Sequence, residues 1–194
     1  MTRGLLLGVN HYKQDTLEEV IRTIETLHPL NVGLELPQDY KDRAEIGIVD
    51  GFFHEIATRL QKQSIQVVPL DDDGLHDFSQ SVDLAMNVVK NNIQRNDIER
   101  SLSELVIGPY SSPERAQVFD HFRTIYGDAL KVLDQFNYSR DAINALREST
   151  ARKRESNMKS IITATRPEVN AVGDGHARRM RYRLIFRYAY HQLV

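Results

Sequence analysis

The chain has no cysteine, which removes both a disulfide framework and any thiolate metal site, so a bound metal would have to be held by nitrogen and oxygen ligands. No apolar run approaches the length needed to span a bilayer. Before Gly8 there is only Arg3 and a short apolar stretch, too brief for the core of a secretory signal, and the protein is expected to be cytoplasmic. The pattern His-Glu-x-x-His is also missing, which excludes a thermolysin-type zinc helix. There is no internal repeat, low-complexity tract or long linker, and nothing marks a boundary between domains.

What is present suits one globular domain over residues 1–194, with 41% hydrophobic and 27% charged residues, enough to bury a sizeable core and too apolar for disorder. The net charge of -2 is unevenly spread, because residues 151–194 carry ten basic against three acidic side chains. Basic helices near the end docking on acidic ones near the start would account for this. A basic surface for an anionic partner is the other account.

The first 70 residues alternate strand and helix, as in a parallel sheet with crossover helices. Strands are expected at Leu5 to Gly8, Asn31 to Leu36 and Ile65 to Leu70, and helices from Asp15, with Glu18 completing a capping box, and from about Ala44 to Gln61. Asp71-Asp72-Asp73-Gly74 then reads as a turn. From about 77 to 163 the amphipathic patterns are all helical, including a helix opened by Ser112-Pro113. Glu168 to Val172 reads as a return strand and Ala177 to Tyr190 as a final helix. The fold class is therefore α/β, a central, mostly parallel sheet with crossover helices and a helical insertion between the third and last strands.

Ligands in open parallel sheets bind beyond the carboxyl ends of the strands. His11, Glu35, Asp71 and His176 fall at or just past the ends of the four expected strands. Gly8, Gly173 and Gly175 would let the chain turn there and admit a ligand close to the backbone. Glu35, between Leu34 and Leu36, sits where a carboxylate should be buried and must be paired, hydrogen-bonded or protonated; an ion pair with an arginine is the structural alternative to a reactive role. Solvated turns are the alternative for His11, His176 and Asp71, and a solvated basic face for Arg154, whose guanidinium could instead clamp a carboxylate or steady an oxyanion.

Four stretches in order, Leu6-Leu7-Gly8-Val9-Asn10-His11, Gly33-Leu34-Glu35-Leu36-Pro37, Arg154-Glu155-Ser156-Asn157-Met158 and Ala171-Val172-Gly173-Asp174-Gly175-His176, resemble the TraB/Tiki superfamily, with its GumN-like, ChaN-like and erythromycin-esterase-like members. The resemblance spans nearly the whole chain and implies an active cleft built from His11, Glu35, Arg154 and His176. Tiki-like members are described as metal-dependent proteases with paired Gly-x-x-His motifs, TraB-like members act on peptide pheromones, erythromycin-esterase-like members hydrolyse a lactone, and ChaN-like members bind haem. The membrane segments of many TraB-like proteins are not found here. Tyr12-Lys13 and Arg178-Arg179, which follow the two motifs, suggest a basic entrance suited to an anionic or C-terminal carboxylate substrate.

The expectation is a hydrolase in which Mn2+, Co2+ or Zn2+ is held by His11, His176 and Glu35, with Arg154 on the oxyanion and Asp71 orienting a ligand histidine from behind. A metal-free form would use one histidine as general base, with Glu35 setting its tautomer. The alternatives are a binding protein that sequesters a peptide or small ligand and, ranked last because Leu184, Ile185 and Phe186 interrupt the basic segment, a nucleic-acid adaptor. Self-association into a homo-oligomer is left open.

Overall fold

The computed structural model describes residues 4–10, 14–45, 48, 51–106, 113–184 and 188–193. Contacts divide the chain into two compact units, one of Met1–Tyr40, Val49–Asp72 and Arg154–Val194, the other of Lys41–Ile48 and Asp73–Lys153.

The first unit is an α/β layer structure. Its strands, β1 (Gly4–Val9), β2 (Asn31–Pro37), β3 (Gln66–Asp71), β4 (Val169–Gly173) and β5 (Tyr188–Leu193), form one sheet in the order β3-β2-β4-β1-β5. Every pairing is parallel. A parallel sheet is covered on both faces, and the central strands are correspondingly rich in apolar residues, with Glu35 and Asn170 as buried polar exceptions. On one face Leu7, Val9, Val32, Leu34, Leu36 and Ala171 meet α1 (Gln14–Leu27) and α3 (Gly51–Lys62) through Leu17, Ile24, Phe53, Ile56 and Leu60. On the other, Leu6, Leu70 and Val172 meet Met158 and Ile162 of α7 (Arg140–Thr165) and Ala177, Met180 and Leu184 of α8 (Asp174–Leu184).

The helical residues between β3 and β4 belong chiefly to the second unit. Here α4 (Asp73–Lys90), α6 (Pro113–Gln135) and the first part of α7 enclose Val82, Ala85, Met86, Ala129, Leu133 and Ile143, and α5 (Arg95–Val106) adds Ile98. Arg43, on α2 (Tyr40–Glu45), donates two hydrogen bonds to Asp77 of α4 within this unit, at 2.5 and 3.2 Å. No helix among the described residues is long and apolar enough to cross a membrane.

Three expectations need correction. The final helix ends at Leu184, not Tyr190, and Tyr188–Leu193 is an edge strand. The apolar run Leu184-Ile185-Phe186 continues a helical pattern into residues whose burial then changes to the two-residue period of a strand. Residues 44–61 are not one helix, because α2 and α3 are separate and Ile48 lies in neither. Asp71-Asp72-Asp73-Gly74 is not a turn: Asp71 ends β3, and Asp73 opens α4, where its charge favours the helix N-terminus.

Candidate functional site

The site lies at the carboxyl ends of β2, β3 and β4. On β2, alternation sends Leu34 and Leu36 into the core against α1 and α3, so Glu35 between them faces the α7 and α8 side. Asp71 is the last residue of β3, whose end is tied down by Gln38, with Nε2 donating to the carbonyls of Pro69 at 2.9 Å and Asp71 at 3.0 Å. Gly173 ends β4, and α8 begins at the next residue, so that His176 falls in its first turn.

Arg154 arrives from α7. The four-residue spacing of Arg154, Met158 and Ile162 puts them on one helix face, the two apolar residues packing on the sheet. The helix runs back to β4 through a short connection, so it lies antiparallel to that strand, and Arg154 stands about 17 Å above the helix end at 1.5 Å per residue. Four steps along β4 rise about 13 Å, which brings Gly173 to a similar level.

The geometry is an interlocked ion network. Arg154 Nη2 donates to Glu35 Oε1 at 2.9 Å, Nε donates to Asp71 Oδ2 at 2.9 Å, and Nη2 also donates to Asp71 Oδ2. Glu35 Oε2 accepts the backbone N–H of Gly173 at 2.7 Å. The three side-chain hosts are buried, Asp71 at 0%, Glu35 at 7% and Arg154 at 9% exposure. Burial weakens solvation of all three charges, and charge-assisted hydrogen bonds replace it.

His176 is held between two carboxylates. Its Nδ1 is 2.9 Å from Glu155 Oε1, and its Nε2 is 3.5 Å from Glu35 Oε1. Glu155, only 4% exposed, also accepts Arg179 Nε at 2.5 Å. Burial alone would push the Glu155 carboxyl up, but the hydrogen bonds from His176 and Arg179 and the Arg179 charge outweigh it and hold the group below the usual carboxylate range.

Beside this network, Asp174 Oδ1 accepts the Tyr190 hydroxyl at 2.9 Å, and Oδ2 is 2.7 Å from Arg178 Nε. Arg181 stands 5.4 Å over the Tyr190 ring. Burial first, and then the Asp174 charge, raise the Tyr190 hydroxyl above its ordinary pKa. Gly8 makes this approach feasible, since a Cβ there would stand 3.0 Å from Asp174 Oδ1 and 3.1 Å from both the Tyr190 hydroxyl and Ala177. Gly8 thus serves close packing within β1, and Gly173 supplies the N–H for Glu35. Gly175 lies in the first turn of α8.

Of the residues singled out in the sequence, the fold brings together Glu35, Asp71, Arg154 and His176. His11 lies outside the described residues; β1 ends at Val9, which pairs with Gly173. Among the described residues, Asp71 Oδ2 is engaged by Arg154. Neither Asp71 nor Arg154 is the solvated group that local sequence suggested, and the ion pair considered for Glu35 is present. Glu155 entered the sequence reading only as part of a motif and Arg179 only as part of a basic entrance, and neither was given a role in the site. Their signal was weak: Glu155 is the neighbour of a singled-out arginine, and Arg179 follows His176 by three residues on one helix, a spacing that makes neighbours.

Two of the three expected metal ligands, His176 Nε2 and Glu35 Oε1, are close enough for one ion with ligands near 2 Å to span. Among the described residues no group of three His, Asp or Glu side chains could hold a metal ion. No family model, curated protein or solved structure matches the chain.

Proposed function

We propose that the protein is a hydrolase of a peptide or other amide or ester, in keeping with the TraB/Tiki resemblance. The observation that carries this reading is the convergence of Glu35, Arg154 and His176, remote in sequence, at the carboxyl ends of a parallel sheet. His176 is the general base. A water within reach of both Nε2 and Glu35 Oε1 would give one proton to the imidazole and be steadied by the carboxylate as it attacks a carbonyl carbon. Arg154 fixes Glu35, and its charge favours the oxyanion that develops as the carbonyl becomes tetrahedral. The half-exposed Arg179 and Arg178 would draw an anionic substrate toward the rim.

A divalent ion of the Mn2+, Co2+ or Zn2+ type, held by His176, Glu35 and His11, would supply Lewis-acid polarisation of the carbonyl and a more acidic water. One observation favours a second reading, a protein that sequesters its ligand without turnover: Glu35 has both oxygens committed, one to Gly173 and one to Arg154, as a structural carboxylate would.

A panel of chromogenic esters, a lactone and short peptide amides, assayed with and without chelator, separates these. Turnover that survives chelation and falls by about 100-fold or more in His176→Gln supports the histidine base. Turnover abolished by chelator and restored by one of the three metals supports the metal form. No turnover, with ligand retention that survives His176→Gln, supports sequestration.

A further inference from the structure

We infer that Glu155 is the positioning residue for His176, fixing the imidazole as the Nδ1–H tautomer so that the Nε2 lone pair is turned toward Glu35. This goes beyond the reading of His176 as the reacting group and rests on it only for its catalytic consequence.

Two hydrogen-bond arrangements are open to a neutral ring at this place. In the first, Nδ1–H donates to Glu155 Oε1 at 2.9 Å and Nε2 keeps its lone pair. In the second, Nε2–H points to Glu35 Oε1 at 3.5 Å while Nδ1 accepts from Arg179 Nη2 at 3.4 Å. The second replaces one good contact with two long ones. It also sets the Nδ1 lone pair against a carboxylate oxygen 2.9 Å away, two acceptors in contact inside a buried site. Glu35 has no need of the ring proton, since Arg154 and the Gly173 N–H already serve its oxygens.

Glu155 is in turn held. It lies on α7 beside Arg154, is almost fully buried, and receives Arg179 Nε at 2.5 Å. Arg179 sits three residues after His176 on α8, so the helix that carries the ring also carries the cation that steadies its acceptor. The result is a Glu–His pair presenting one ring nitrogen, as a base or as a ligand, with the other nitrogen fixed from behind.

Side-chain proton–nitrogen correlation spectra of the full chain, recorded as the pH is raised until the His176 ring carries a single proton, test this without substrate. The chain has seven histidines, and loss of one set of signals in His176→Gln assigns the ring. The expected wild-type spectrum shows a protonated-type Nδ1 and a lone-pair-type Nε2. In Glu155→Leu the Nδ1–H signal is lost in favour of Nε2–H, whereas Glu155→Gln, whose amide oxygen accepts the same bond, retains it.

A wild-type ring whose single proton sits on Nε2 overturns the inference, as does a folded Glu155→Leu protein with an unchanged tautomer. If Glu155→Leu fails to fold, the wild-type and Glu155→Gln spectra still decide. Failure to find turnover leaves the tautomer result intact, so the two readings fail separately. Where turnover is found, Glu155→Leu should lower kcat by about 10- to 100-fold with little change in KM.

Discussion

Arg154 is the residue on which the site's stability turns. It holds two carboxylates that have almost no contact with water, so its removal takes from both the cation they share. Breaking a buried pair costs about 3–5 kcal/mol. Arg154→Leu should lower stability in urea by at least that amount, while the triple change with Glu35→Leu and Asp71→Leu should recover most of it, because apolar replacement removes the unsatisfied charges along with the pair. A single variant that unfolds at the wild-type urea midpoint would show that solvent reaches the network. The contrast is Arg59, which pairs with Glu18 and Glu55 on the exposed surface, where water screens the charges and the pairing adds little to stability. At this scale Glu35 was legible, because a carboxylate between two leucines in a strand has to be paired. The pairing of Asp71 was not, since its partner is 83 residues away and three aspartates before a glycine look locally like a solvated turn.

At the scale of elements, β4 fits closely against β2. Asn170 pairs in register with Gly33 on β2 and is fully buried, with neither amide atom hydrogen-bonded among the described residues. A Cβ on Gly33 would overlap Asn170 Oδ1 and stand 3.1 Å from Leu70. Gly33→Ala should therefore destabilise by about 1–3 kcal/mol. In an Asn170→Ala background the same change should cost less, with a coupling of roughly 0.5–3 kcal/mol. Additive effects in urea unfolding would mean that Leu70 and the backbone, not Asn170, set the limit. The inner strands and the long helices could be read because β2 and β4 are mostly apolar and α1 keeps one apolar face. The edge strand β5 could not, because an edge needs only alternate apolar residues, and Tyr188 to Leu193 follows a basic helix whose last apolar residues run on without a breaker.

For the sheet unit as a whole, chain order and spatial order disagree, and that disagreement makes the site. The strand inserted between β1 and β2 is β4, supplied by the last thirty residues of the chain. This insertion sets Gly173 and His176 against Glu35, and α7, which leads into β4, delivers Arg154 and Glu155. The excess of basic residues near the end is partly explained by it, since Arg154 neutralises Glu35 and Asp71 from the first half, although Arg178 and Arg179 pair with acids of their own segment. Topology of this kind leaves no local trace in a sequence, and only the repeated placement of reactive residues at strand ends hinted at it.

A consequence follows for folding. Without β4 and β5, β1 has no partner strand, and the sheet is reduced to the pair β2 and β3. A chain ending at Arg166 would leave Leu6, Leu7, Val32 and Leu34 without the neighbours that bury them. Such a chain should lose the cooperative urea transition of the sheet and show a markedly smaller dependence on denaturant, since that slope follows the surface exposed on unfolding. A truncated chain with the full-length midpoint and slope would mean that β1 and β2 pair directly, and that the late strand is an addition to a sheet already complete.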